Sequence, residues 1–177
     1  MLDKLIYSTS LQKVLYFLLS HPDEKYYDRE ISRLSKVSKA STNFALRDLV
    51  KTNLISREKK GRMCFYYADL SSNLIQQLKI AQNMIKISSL INKLEDCCIK
   101  MILFGSSAKG KNHKESDLDL FILTSESDKV KKVIFKSPLK EKIQYHINTP
   151  QDVAKLKRDK SVFYKEIASG ITVYEKK

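Results

Sequence analysis

The sequence of 177 residues contains no tryptophan, four glycines, three prolines and three cysteines. Its longest apolar runs fall well short of the roughly 18 residues that a membrane-spanning helix needs. The opening residues, MLDKLIYSTS, lack the basic start, apolar middle and small-residue cleavage site of a signal peptide. From these absences we expect a cytoplasmic chain with no membrane partner.

The three cysteines, Cys64, Cys97 and Cys98, form neither an even set nor a C-x-x-C pair. Cys97 and Cys98 are adjacent, so in a strand they point to opposite faces and cannot chelate one metal together. We expect reduced thiols, without a disulfide framework or a structural zinc site.

Positive charge is abundant: 33 Lys and Arg against 20 Asp and Glu give a formal net charge of +13. Such a chain attracts phosphate-bearing partners. Both the first 70 residues and the remainder are net basic, so charge alone does not assign nucleic-acid binding to one half.

Signals for three helices and a hairpin fill the first 70 residues. The first helix follows a predicted N-cap at Ser10 and ends before Pro22, and two more span about 28–35 and 40–52. Two alternating strands then flank a turn at Lys59, Lys60 and Gly61. Predicted inward positions are Ile31, Leu34, Val37, Leu46, Leu49 and Leu54.

This order of elements, over residues 5–70, resembles the winged helix-turn-helix family, and SKASTNFALRDLVKTNLI is similar to its recognition helix. The resemblance implies that a helix enters the major groove of double-stranded DNA while a basic hairpin meets the backbone. The alternative is a winged helix used for protein contacts, with a charged helix face that is only solvated. The predicted DNA contacts are Lys36, Lys39, Ser41, Asn43, Arg47, Lys51, Arg57, Lys59, Lys60 and Arg62.

Residues 72–96 predict one long helix, because 25 positions pass without Pro or Gly. Its apolar residues recur at alternating spacings of four and three. This stripe either pairs with a second helix or packs on a neighbouring domain of the same chain. A homodimer is expected, through this helix or through the winged-helix domain. The stripe consists of Ile80, Met84, Ile87, Ile91 and Leu94.

From Cys97 onward, strand signals alternate with helix signals, which predicts a compact α/β or α+β sheet domain. The whole chain is thus predicted to be an α+β protein of two domains joined by a helix. The strand signals are CIKMILFG, SDLDLFIL, KIQYHI and ITVY; the helix signals are SDKVKKVIF, PQDVAKLKR and SVFYKEIAS. The predicted segments are 1–70, 71–96 and 97–177.

One stretch of this second domain carries a candidate site. Gly105 and Ser106 follow a predicted strand directly, and a glycine there lets a ligand approach the backbone. Asp117 and Asp119 are two residues apart in the next predicted strand, so they are expected on one face. Two carboxylates near a phosphate-binding turn suit Mg²⁺, which prefers hard oxygen ligands.

The pattern G-S-x-x-x-G followed by S-D-x-D-L resembles the signature of the nucleotidyltransferase superfamily, especially its minimal prokaryotic members, whose fold is like that of DNA polymerase β. The resemblance implies that the turn holds the phosphates of an NTP, as ligand or substrate. It also implies that Asp117 and Asp119 hold Mg²⁺ at a catalytic site. The nucleotide-binding positions carried over are Gly105, Ser106, Gly110 and Ser116.

Active members of that family use a third carboxylate on a later strand. The candidate strand here, EKIQYHI, presents Gln144 or His146 on the corresponding face, and neither is acidic. Two hypotheses follow. The chain is a DNA-binding regulator that binds nucleotide and Mg²⁺ with little or no turnover, or it is an active nucleotidyltransferase acting on a small-molecule, protein or RNA hydroxyl.

Overall fold

The computed structural model of the protein describes residues 2–22, 24–159 and 161–176. The outer limits of the predicted segments, residues 1 and 177, lie outside them. The chain divides into two compact units: Met1–Gln82 with His113–Glu115, and Asn83–Asn112 with Ser116–Lys177. We call them unit 1 and unit 2.

Unit 1 contains the three predicted helices and the predicted hairpin, together with a short first helix and a short first strand that the sequence patterns did not indicate. The strands form an antiparallel sheet in the order β1-β3-β2. The elements are α1 (Leu2–Ile6), α2 (Ser10–Ser20), β1 (Tyr26–Tyr27), α3 (Asp28–Ser35), α4 (Lys39–Lys51), β2 (Ser56–Lys60) and β3 (Met63–Tyr67).

The start of α2 differs by one residue from the prediction. Thr9, and not Ser10, is the N-cap: its hydroxyl accepts a hydrogen bond from the backbone N–H of Gln12 at 3.3 Å. The Gln12 side chain accepts one in return from the backbone N–H of Thr9 at 3.0 Å. This reciprocal pair is a capping box, and it places Ser10 inside the first turn.

Four of the six predicted inward residues are buried in unit 1, namely Ile31, Val37, Leu46 and Leu49, and Leu54 is half-buried. The prediction for Leu34 is wrong, because 46% of this residue is exposed. Leu34 borders an open cavity of about 580 Å³ that is also lined by residues of α2, so no side chain covers it.

The long helix α5 (Asn73–Leu94) is present, as predicted. Ile87, Ile91 and Leu94 are buried in the hydrophobic core of unit 2, whereas Met84 is 37% exposed. The C-terminal half of the predicted stripe therefore packs on its own domain. This supports the second of the two interpretations for that half of the helix.

Unit 2 shows the predicted alternation of strands and helices. Its sheet has the order β6-β5-β4-β7, in which β5 and β6 run parallel and the other neighbours antiparallel. The elements are β4 (Lys100–Phe104), α6 (Gly105–Ala108), β5 (Leu118–Leu123), α7 (Ser127–Phe135), β6 (Ile143–Asn148), α8 (Pro150–Arg158), α9 (Val162–Ala168) and β7 (Ile171–Glu175).

The two faces of β5 contribute to different cores. Leu118, Leu120 and Ile122 join the larger core, which also contains residues of α5 and α7. Phe121 points to the other face and packs in a smaller core with Phe104 and with Ile167 of α9. Because side chains alternate along a strand, Asp119 lies on the same face as Phe121.

Cys64, Cys97 and Cys98 are all free thiols, as expected for reduced cysteines. Cys98 is buried, and burial raises the pKa of its thiol to about 12, which makes it unreactive at neutral pH. None of the helices within the described ranges combines the length and the apolar character needed to cross a membrane.

Candidate functional site

The candidate site begins where β4 ends. Gly105 follows Phe104 with a φ of +67°, a conformation that L side chains rarely adopt. A Cβ added at Gly105 would lie 2.4 Å from Oδ2 of Asp119. The carboxylate of Asp119 therefore lies directly against the backbone of the turn, in space that any other residue at position 105 would fill.

Gln144 is the neighbour of Asp119 on the other side. The parallel register of β5 and β6 pairs Asp119 with Gln144 and Phe121 with His146. Paired residues of adjacent strands point to the same face, so the Gln144 side chain lies beside Asp119. Of the two predicted candidates for the third-carboxylate position, Gln144 is thus the one level with Asp119, and it is exposed and neutral.

His146 is level with the aromatic residues of the smaller core. Its ring lies 5.6 Å from that of Phe104 and 5.0 Å from that of Phe163, centroid to centroid. It is half-buried, so packing with these rings accounts for part of its role.

Asp117 departs from the prediction that both aspartates lie in one strand. β5 begins at Leu118, where its pairing with Ile143 starts, and Asp117 is exposed just before it. The backbone carbonyl of Asp117 accepts a hydrogen bond from the Ser107 hydroxyl at 3.1 Å. This contact fixes Asp117 at the end of the loop, so its side-chain direction is set by the loop and not by strand alternation.

The loop between the turn and β5 is closed by its own backbone. The carbonyl of Ser106 accepts hydrogen bonds from the N–H groups of Lys109 at 3.2 Å and Lys111 at 3.0 Å. Gly110 is buried and has a φ of +66°, so it permits the chain reversal. Ser116, the last of the predicted nucleotide-binding positions, is half-buried near the end of the loop.

Asp119 is partly buried and lies near charged groups of both signs. Burial raises the pKa of Asp119 above its usual value, and the nearby charges of Glu166 and Asp117 raise it further, while His146 lowers it. A divalent cation would relieve both the burial of charge and the repulsion between the carboxylates.

Glu166 was not predicted as a site residue. It is exposed on α9, and its charge acts on Asp119 from a helix far away in sequence. The sequence signal available was only that SVFYKEIAS forms a helix, which does not say where that helix packs.

Residues 85–177 match the family described as polymerase beta, nucleotidyltransferase. The match covers more than half of the chain. The chain belongs to this nucleotidyltransferase family. No curated protein matches the chain.

Nucleotidyltransferases of this family typically use Mg²⁺ and an NTP. Among the residues that the structure describes, no group of three or more His, Cys, Asp and Glu side chains is arranged to hold a metal. Two carboxylates nevertheless fit Mg²⁺, because this ion is commonly bound by one or two carboxylates while substrate phosphates and water complete its octahedron. Asp117 and Asp119 would be the protein ligands.

A buried polar network anchors the loop between the Gly105 turn and β5 to the helix α5. Asn83 donates hydrogen bonds from Nδ2 to the backbone carbonyl of Ser107 at 3.0 Å and to Oδ1 of Asn112 at 2.8 Å. All three residues are at most 4% exposed. Since Ser107 also bonds to Asp117, the network connects α5 to the start of β5. Neither asparagine was singled out from the sequence.

The predicted DNA contacts of unit 1 lie at the surface. Nine of the ten are exposed, while Ser41 is half-buried and bonds to the capping residue Ser38. Phe44 was missed: it is 62% exposed on α4, and the Arg47 guanidinium carbon lies 5.7 Å from its ring centroid. Its position directly after Asn43, on the outward side of the predicted recognition helix, was the available signal.

The contact between Gly105 and Asp119 predicts the effect of Gly105→Ala. Left-handed backbone costs a side chain about 1–2 kcal/mol, and Gly61, with a φ of +61° and open space around it, is the matched control. We expect Gly105→Ala to lose clearly more free energy of unfolding than Gly61→Ala, and also to weaken Mn²⁺ binding. Urea denaturation and a Mn²⁺ titration measure both; an equal drop in stability for the two variants would contradict the contact.

The raised pKa of Asp119 predicts a pH-dependent effect of Asp119→Asn. A carboxyl group with a raised folded pKa contributes stability that is present below its unfolded pKa and is lost as the pH rises through the folded pKa. In metal-free buffer, Asp119→Asn should therefore melt at a higher temperature than the wild type at about pH 7, and the difference should vanish near pH 4. Thermal unfolding across this range tests it, and a lower melting temperature of the variant at neutral pH would refute it.

Proposed function

We propose that this chain is a DNA-binding regulator whose nucleotidyltransferase unit binds a nucleotide together with Mg²⁺. The observation that carries the nucleotide part is the contact of the Asp119 carboxylate with the Gly105 turn. A carboxylate, the ligand type that Mg²⁺ prefers, thus lies directly against a glycine turn at the end of a strand.

Each site residue has a distinct part in this proposal. Asp117 and Asp119 hold Mg²⁺, whose charge would neutralise the bound triphosphate. Ser106 and the backbone after Gly105 bind the outer phosphates. Gly110 and Ser116 shape the loop around them.

The neutral Gln144 favours binding over turnover. Its amide oxygen can contact a cation, but it supplies no negative charge and cannot accept the proton of an attacking hydroxyl at neutral pH. Because β6 itself contains no acidic residue, the strand next to Asp119 offers no replacement.

Nucleotidyl transfer is the second candidate function, and the position of Glu166 favours it. This carboxylate acts on Asp119 from α9 and is exposed, so it is accessible to an incoming acceptor. In transfer, the acceptor oxygen bonds to the α-phosphorus, the bond to the pyrophosphate breaks, and the hydroxyl proton passes to Glu166. The acceptor would be a small molecule, a protein or an RNA.

Unit 1 supports the regulatory half of the proposal. Its α3 and α4, followed by the β2–β3 hairpin, have the order of a winged helix-turn-helix domain. We propose that α4 enters the major groove of double-stranded DNA, with Asn43 and Arg47 on base edges, and that the basic hairpin contacts phosphates. Phe44, exposed between them, suits the methyl group of thymine.

We further propose a homodimer that forms through unit 1. Two-fold symmetric DNA sites need two copies of a binding domain. Ile87, Ile91 and Leu94 of α5 are already buried in the core of unit 2, so this part of the helix has no apolar stripe left for a second copy.

The nucleotide proposal predicts Mg²⁺-dependent binding of ATP or another NTP without label transfer. Asp119→Ala should weaken binding at least tenfold, and Gln144→Glu should tighten Mn²⁺ binding, because it adds a carboxylate beside Asp119. Titration with fluorescent NTP analogues measures affinity, and incubation with α-labelled NTPs and candidate acceptors detects transfer. Transfer that disappears in both Asp119→Ala and Glu166→Gln would instead establish the enzyme.

The DNA proposal predicts salt-dependent binding of duplex DNA that is weaker in the double variant Arg47→Ala with Lys59→Ala. Removing one phosphate contact should reduce the slope of log affinity against log salt by about 0.9. Fluorescence anisotropy with a pool of random-sequence duplexes measures this. The control is Lys157→Ala with Arg158→Ala, two exposed residues of α8, which removes the same charge. Equal effects of the two double variants would contradict the proposed DNA-binding surface.

A further inference from the structure

A shallow depression on unit 2, which we call the Phe135 patch, lies apart from the site around Asp119. It has a volume of about 330 Å³, at the small end of the range for ligand sites. Its two aromatic residues are unusually open to solvent: Phe135 is 75% exposed and Tyr145 is 41% exposed. The residues that line it are Lys131, Lys132, Phe135, Lys136 and Tyr145.

The core of unit 2 does not account for Phe135. The helix α7 anchors itself through Val130 and Ile134, which are at most 1% exposed. Phe135 is the last residue of the helix and points away from that core, with the ammonium nitrogen of Lys140 at 5.1 Å from its ring centroid. An aromatic ring held at the surface beneath a cation is available to a partner.

The charge around the two rings is positive. Lys129 pairs with Glu126, and Lys140 lies 3.6 Å from Glu141. In the described part of the chain, no ion pair involves Lys131, Lys132 or Lys136. Three uncompensated ammonium groups therefore border the depression between the two rings.

We propose that the Phe135 patch binds single-stranded nucleic acid. Aromatic faces stack unpaired bases, and lysines contact the phosphates between them, which is the combination that such strands require. In duplex DNA the base faces are stacked and inaccessible. An acidic peptide would pair with the lysines but would not account for the two exposed rings. Pairing with a second copy of the same patch would bring six or more like charges together, so the charge pattern disfavours it.

The patch lies at the end of the sheet that carries the candidate site. β5 and β6 run parallel, and α7 between them runs back, so its last residue, Phe135, lies towards the end where β5 and β6 begin. Asp119 and Gln144 occupy that same end, on the other face from Tyr145. The inference does not depend on duplex binding by unit 1.

The absence of tryptophan from the chain gives a direct test. Phe135→Trp keeps an aromatic face and introduces the only indole, whose fluorescence should be quenched when a base stacks on it. The probes are (dT)12 and (rU)12 added to the full-length protein. We expect quenching by both strands, with an affinity close to that of the wild type measured by anisotropy.

The matched variants separate stacking from charge. Phe135→Leu keeps apolar bulk without a π-face and, combined with Tyr145→Ala, should weaken single-strand binding at least tenfold while leaving the salt slope unchanged. Replacing Lys131, Lys132 and Lys136 by Gln should lower that slope by about 0.7 for each phosphate that is no longer neutralised. All five side chains line a surface depression, and circular dichroism verifies folding.

Three binding results would overturn the proposal. These are wild-type protein that does not bind either strand, single-strand affinity unaffected by Phe135→Leu with Tyr145→Ala, and loss of binding only in the unit 1 variant Arg47→Ala with Lys59→Ala. Light scattering that shows a dimer dissociated by Phe135→Leu would also overturn it, in favour of self-association. Failure of duplex binding alone would affect the proposed regulator and leave the patch intact.

Discussion

The contact between the carboxylate of Asp119 and the backbone of Gly105 is the constraint on which the candidate site depends. The antiparallel pairing of β4 and β5 places Phe104 opposite Asp119, so the residue after Phe104 has to turn directly above the carboxylate. Only glycine leaves that space open and also accepts the positive φ. The same contact fixes the separation between the turn and the carboxylate, and the pairing of β4 with β5 maintains it.

Much of the fold follows from local patterns. Helical spacing, strand alternation and the turn around Gly61 each depend on residues close in sequence, and these elements are present where they were predicted. The errors occur where the end of an element or the burial of a side chain depends on a single residue or on a contact distant in sequence. Thr9 and Gln12 form the reciprocal cap of α2, and Asp117 lies just before the point where β5 begins to pair with β6. Leu34 borders an open cavity instead of the core.

The residues of the candidate site also differ in whether local sequence patterns could identify them. Gln144 could be placed from alternation within β6, and the register then brings it level with Asp119. Glu166, Phe44 and Asn83 could not be placed, because their relevance depends on which way a helix faces after packing. The sequence of α9 does not show that Glu166 lies near Asp119, because this depends on how the helix packs on the sheet. The family signature identified the turn and the aspartates, but it says nothing about the side chains that surround them here.

The network around Asn83 has a further consequence. Its partners are two amides, a hydroxyl and backbone carbonyls, none of which carries a charge or titrates in the physiological range. Its geometry is therefore independent of pH and of ionic strength, whereas the carboxylates that it helps to position respond to both. At the proposed cation site, acidification or added salt would alter the occupancy while these hydrogen bonds stay the same. A change in ligand affinity under such conditions would therefore report the chemistry of Asp119 and not a loosened loop.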